Sequence, residues 1–260
     1  MINTNTFSKA FSSEQYKLSK NKEIFGILLL PVLIIFGIDL YIAYDTISSG
    51  IDTGDGTINP WKMTLGRSVF MFFYLLFPIL VSLFVHACCD VETKNNNYKI
   101  LFTLPISKSK IFFSKALFIQ ITVFFAVLFS YLAFLLSGYL LSIAFPVLGF
   151  QNYDFREVIF YIFLKLLITL SAISMVQLTL SLLFKNFIYP IGFGVFMLLF
   201  TTIIQQKAFA DFLIFTGGYR SLEHLLSENI SFERLDYCNI TAIFIFTATS
   251  FYLFINKKER

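Results

Sequence analysis

The sequence predicts an all-α polytopic membrane protein with six transmembrane helices, cytoplasmic N- and C-termini, an N-terminal interfacial helix and a short cytoplasmic helix between spans two and three. Three observations carry this expectation. Of 260 residues, 57% are hydrophobic, 35 are Phe and only 14% are charged, well below the roughly 25% charged share of a soluble domain. The apolar residues gather into runs of about 20, long enough for a helix to cross a hydrocarbon core of roughly 30 Å. Basic residues, finally, collect in alternate loops. Residues 1–260 are read as a single transmembrane domain.

Residues 1–23 are polar, with Phe7, Phe11 and Leu18 at near-helical spacing among Lys9, Lys17, Lys20 and Lys22. That pattern suits a short helix lying in the membrane interface, its apolar stripe on lipid or on a neighbour. The first span is expected at 24–44, with Pro31 near its start and Asp39 near its far end. Its basic flank is like that of a signal peptide. The run is too long for one, however, and residues 41–46 offer no small-x-small site, so a retained anchor is expected. A loop over 45–67 holds Gly50, Gly54, Gly56, Pro60 and Trp61, and the second span covers 68–86 with Pro78 inside it.

A polar, basic stretch over 87–115 follows, then a third span at 116–145. A brief loop leads to the fourth span at 158–184, and Lys185 and Asn186 turn the chain into the fifth at 187–204. The loop over 205–239 is the longest and most acidic, with short helices expected near 222–226 and 232–235. The last span covers 240–255.

Orientation follows from Lys and Arg, because basic loops stay in the cytoplasm. The termini, the 87–115 loop and Lys185 together carry thirteen, against six at Lys62, Arg67, Arg156, Lys207, Arg220 and Arg234 on the other side. The termini and the 87–115 loop are therefore expected in the cytoplasm, and 205–239 outside. The net charge of +4 is spent on topology in such a chain, and no nucleic-acid partner is expected. Cys88, Cys89 and Cys238 suggest no structural disulfide. A composition rich in Phe, Ile, Lys and Asn suggests an AT-rich bacterial genome.

Within the loop the local signals are specific. Asp90 can cap a short helix, and Asn95, Asn96 and Asn97 interrupt it, Asn tolerating left-handed turns. Tyr98, Leu101 and Phe102 then form one apolar face with Lys99 on another, and Pro105 stops the helix at Leu104. Ser107 is placed to cap the next helix, whose first turns carry Lys108, Lys110 and Lys115.

This arrangement, an acidic residue, a turn and then K-x-L-x-x-L-P-I-S-K running into a membrane helix, resembles the loop between spans two and three of type-2 ABC exporter permeases. Chain length, six spans and the interfacial helix agree, so the resemblance covers the whole sequence. The texture is most similar to the membrane subunits of lantibiotic-immunity and bacitracin-resistance exporters. The resemblance implies a coupling helix that docks on a nucleotide-binding subunit. Glu92 matches its acidic position, Lys99 its basic one, and Leu101, Leu104, Pro105, Ser107 and Lys108 the segment that follows. One departure is Asn97, where the family pattern has Gly.

The sequence contains no G-x-x-x-x-G-K-S/T, so no phosphate cradle of that kind is expected here. The resemblance then implies ATP and Mg on a separate ATPase dimer, and no cofactor on this chain. It also implies a second permease, either another copy or a homologue, and a peptide or amphipathic substrate taken from the bilayer.

Asp39 and Lys165 are ionisable groups within apolar segments, where a charge costs about 2.5–3.5 kcal/mol at the bilayer centre. Snorkelling to the outer interface is the simpler expectation for Lys165 and an even one for Asp39; for both, the alternative is a polar contact within the permease or with a cationic peptide near the outer leaflet. Gln120 and Gln177, with Ser171, Ser174 and Thr179, read as hydrogen-bonding glue between helices. His86 beside Cys88 and Cys89 lacks further ligands, so no metal is expected. His224 reads as a solvated loop residue, and Asp211, Glu223, Glu228, Glu233 and Asp236 as a solvated surface that could attract cationic peptides.

Two other readings stand beside the exporter. A membrane-embedded protease or lipid-modifying enzyme would need paired acids, or a His with a carboxylate, inside the spans, and neither pattern is present. A non-transporting membrane anchor for a cytoplasmic partner would use the same basic loop. No catalytic residue is assigned.

Overall fold

The computed structural model describes residues 4–19, 22–48, 59–93, 106–184, 186–205, 207–228 and 230–256. The described secondary structure is helical throughout: α1 (Thr4–Ser19), α2 (Lys22–Ser48), α3 (Pro60–Ser68), a π-helical segment (Val69–Leu76), α4 (Phe77–Thr93), α5 (Lys108–Ala144), α6 (Arg156–Leu183), α7 (Ile188–Ile204), α8 (Gly217–Ser227) and α9 (Arg234–Ile255). Five stretches are long and apolar enough to cross a membrane: Gly26–Ser48, Pro60–Asp90, Lys108–Ala144, Arg156–Leu183 and Arg234–Ile255. Ile188–Ile204 is a sixth, shorter apolar helix.

The second membrane helix starts eight residues before the expected position, at Pro60 rather than Ser68. The cause is local. Asn59 is extended, and its side-chain oxygen accepts from the backbone N–H groups of Trp61 (3.0 Å) and Lys62 (3.4 Å), while Pro60 occupies the first helical position. Asn at the cap and Pro at the first turn are strong start signals. Downstream, Pro78 has no N–H, and its ring would press on the Tyr74 carbonyl. The helix answers by widening over Val69–Leu76, where the Phe77 N–H reaches back to Phe72 O, a local adjustment that keeps backbone groups bonded in lipid.

α5 has 37 residues, about 55 Å of helix against a hydrocarbon core of roughly 30 Å. The helix is therefore longer than a perpendicular crossing of that core requires. At its C-terminal end Phe145 leads into two short 3-10 turns, Pro146–Leu148 and Phe150–Asn152. They are joined at Gly149, whose φ of 69° is open to Gly at no steric cost.

α6 is the pillar of the bundle and packs against α4, α5, α8 and α9. Ile162, Ala172, Ile173 and Ser174 on it are fully buried. Phe163 meets Phe73 edge-on at 5.3 Å and Tyr131 at 5.4 Å, tying the π segment to α5 through ring contacts. α1 lies along α5, burying Ala10.

The last helix begins at Arg234, six residues before the expected start, because Glu233 and Asp236 form a reciprocal capping box. The 232–235 segment is thus the head of α9 and not a helix of its own, whereas the other expected short helix exists as α8, longer at both ends. α8 fits against the π segment because a Cβ on Gly218 would come within 2.8 Å of the Tyr74 Cα. Gly217 is pressed in the same way against the Thr169 side chain.

Candidate functional site: the frame of the coupling loop and the buried polar clusters

Of the loop residues singled out above, Lys99, Leu101, Leu104 and Pro105 lie outside the described residues. The described parts show the frame that presents them. Glu92 falls in the final turn of α4. Ser107 is the extended residue before α5, but its hydroxyl makes no capping bond. The first turn is closed instead through its carbonyl, which accepts from Lys110 N and Ile111 N. Lys108 opens α5, and Ile106 packs onto the core.

The base of this frame is held by a group the sequence reading left among the loop cations. Lys115 is 2% exposed, and its Nζ donates to the Cys88 carbonyl at 2.8 Å. That carbonyl lies in the last two turns of α4, where the helix dipole favours a cation. Lys115 therefore fastens the start of α5 to the end of α4 immediately below the loop. Beside this joint a cavity of about 700 Å³ opens between α2, α4 and α7, walled by Ile27, Leu83 and Phe187 with His86 and Asp90 on its rim.

Three polar groups join helices further inside the bundle. Asp39 is 1% exposed and accepts a hydrogen bond from the Ser137 hydroxyl, linking α2 to α5. Gln120 donates from Nε2 to Ser174 Oγ (3.1 Å) and the Ser171 carbonyl (3.3 Å), linking α5 to α6. Gln177 is wholly buried where α6, α4 and α7 meet, and neither atom of its amide has a hydrogen-bond partner among the described residues. A Cβ on Gly194 would come within 2.9 Å of Gln177 Nε2 and 3.0 Å of Ser82 Oγ. α7 thus approaches through a position that only Gly leaves open.

The opposite end of the bundle corrects several expectations. Lys165 does not snorkel: it is 3% exposed, and its Nζ lies 2.9 Å from Asp236 Oδ2 and over the Tyr161 ring. His224 is not solvated but buried, with Nε2 3.1 Å from Glu233 Oε2. Asn239 donates to Thr169 Oγ1 at 3.1 Å.

The expected acidic surface is largely consumed by pairing. Arg220 holds Asp211 (2.6 Å) and Glu223, and Lys62 holds Glu228 (3.0 Å). Burial disfavours charge on Arg220, but Glu223 and Asp211 outweigh it and raise its pKa above the ordinary arginine value. A chain-distant pair such as Lys165 and Asp236 leaves no local signal. The one clue was an ionisable residue in an apolar run with an excess of acids in the following loop.

Among the described residues no cluster of three His, Cys, Asp or Glu side chains is arranged to hold a metal ion. Four of the five long apolar helices, with the stretch between α4 and α5, are matched by a family model, that of the ABC-2 family transporter proteins, over residues 10–201. The chain belongs to this family. No curated protein matches it. It is accordingly a multi-pass membrane permease of an ABC transporter, a non-catalytic subunit. Such ABC-2 permeases bind no cofactor themselves; ATP is bound by a partner ATPase. The matched region runs from α1 into α7 and includes the loop frame, while α8 and α9 lie beyond it.

Proposed function

We propose that this ABC-2 permease exports an amphipathic peptide of the antimicrobial kind, serving immunity or resistance in the manner of lantibiotic and bacitracin exporters. Its 87–115 loop lies in the cytoplasm with both termini, and Glu92, Lys99, Leu101, Leu104, Pro105, Ser107 and Lys108 form the docking element for an ATPase dimer carrying ATP and Mg. The membrane partner is a second copy or a homologous permease. The observation that carries the substrate class is the internal use of buried charge. Asp39, Lys115 and Lys165 each bond within the chain, while Leu33 on α2 and Phe196 and Ile203 on α7 stand exposed on lateral faces. A chain built this way presents apolar sides to lipid-dissolved cargo rather than a charged conduit to a hydrophilic one.

Deleting the chain is expected to raise sensitivity to cationic amphipathic peptides and to leave sensitivity to hydrophilic antibiotics unchanged. Equal sensitivity to both classes, with and without the chain, contradicts the substrate assignment. Purification in mild detergent from cells is expected to retain an ATPase subunit.

A further inference from the structure

A groove of about 960 Å³ lies between α3, α5, the 3-10 turns after α5 and the start of α6, with Trp61, Tyr131, Tyr139 and Phe150 among its walls and Asp154 and Arg156 on its rim. It is built rather than incidental. Trp61 donates from Nε1 to the Phe150 carbonyl at 2.9 Å and meets the Phe150 ring edge-on at 5.0 Å. Its indole seats against Gly138, where any Cβ would overlap the ring. Tyr131 and Tyr139 stand two turns apart on α5, so the groove follows the helix for about 12 Å.

Asp154 and Arg156 beside the groove have no ion-pair partner among the described residues, unlike Lys62, Arg67, Lys165 and Arg220. The Tyr153 hydroxyl oxygen, on the same loop, is buried with no hydrogen-bond partner among the described residues. Glu157 already places a carboxylate in the first turn of α6, so Arg156 is the group that favours an anion here.

We propose that the groove binds one zwitterionic phospholipid. The phosphate sits at Arg156, and the headgroup ammonium between Asp154 and the aromatic faces, which attract cations. An acyl chain follows α5 from Tyr139 toward Tyr131. A cation two residues from an anion, above an apolar trough open to the bilayer, matches a lipid that carries both charges on one headgroup. The leaflet involved rests on the orientation proposed above; binding in detergent does not, and cysteine-accessibility labelling would test orientation separately.

The test is native mass spectrometry of the purified protein in detergent with dioleoyl-phosphatidylethanolamine, dioleoyl-phosphatidylglycerol, dioleoylglycerol and inorganic phosphate as separate probes. Phosphatidylethanolamine is expected to be retained most strongly, and Arg156→Gln to weaken it about tenfold, the loss of one charge-assisted hydrogen bond. Arg156→Lys should restore part of that loss. Lys207→Gln, away from the groove, should change nothing. Arg156 is exposed, so its variants are expected to fold. Retention unaffected by Arg156→Gln overturns the site. Phosphatidylglycerol held as tightly as phosphatidylethanolamine overturns the zwitterionic assignment, and phosphate or dioleoylglycerol held equally well overturns the lipid.

Discussion

The two ends of this permease are fastened in different ways. At the loop end, one buried cation, Lys115, reaches a backbone carbonyl on the neighbouring helix. At the other, Lys165 and Asp236 pair inside a cluster that joins α6 to α9, with His224 on α8 holding Glu233 beside them. A carbonyl remains a satisfied helix acceptor if the lysine leaves. A carboxylate stripped of its partner remains a buried charge. The Lys165–Asp236 pair therefore needs both partners in place, whereas the bond from Lys115 to Cys88 leaves its acceptor satisfied when it breaks.

Breaking the far cluster is expected to have the largest effect on stability. Lys165→Met leaves Asp236 uncompensated and should cost about 3–5 kcal/mol, whereas removing both charges together should cost much less. Thermal denaturation in detergent of the two single variants and the double variant checks this non-additivity. A double variant whose loss equals the sum of the two single losses would show that the pair is not coupled.

Lys115→Met removes the hydrogen bond from a charged donor to Cys88, worth about 1.5–3 kcal/mol. Its distinguishing effect should fall on function: ATP hydrolysis by the assembled transporter persists while substrate movement declines. If hydrolysis and movement fall in proportion, the joint serves only folding.

Gly194→Leu should push α7 away from Gln177 and Ser82, lowering the melting temperature by several degrees, as overpacking costs about 1–3 kcal/mol. The smallest effect is expected for Gln177→Leu. Removing an unpartnered buried amide is close to neutral or stabilising. A melting temperature held or raised alongside reduced transport would assign the amide to function, and a clear loss of stability would show that it has partners the static structure lacks.

Local start signals are legible in the sequence and chain-distant contacts are opaque for a physical reason. Ser107 marks the start of α5 within its own turn of chain, although its carbonyl and not its hydroxyl closes that turn. Lys115 and Cys88 are only 27 positions apart, yet even their contact depends on which face of each helix is buried. Asn239 and Thr169 are 70 positions apart, and only tertiary packing brings them together. Lys165 was assigned to the interface because a lone cation in an apolar run has that solution open to it; its partner sat in a loop that composition describes as solvated. The early helix starts at Pro60 and Arg234 were recoverable, since Asn59-Pro60 and the Glu233–Asp236 box are local cap signals masked by their polar surroundings.

The proposed role of the loop as the point of energy transfer is tested most directly by reconstituting the permease with its ATPase in proteoliposomes and measuring hydrolysis and transport of the proposed peptide cargo together for the wild type, Glu92→Ala and Leu104→Ala. The coupling account predicts that both variants insert and bind the ATPase, that transport falls at least about tenfold, a loss of roughly 1.4 kcal/mol, and that substrate no longer stimulates hydrolysis. Variants that keep substrate-stimulated hydrolysis and transport at wild-type levels would contradict it.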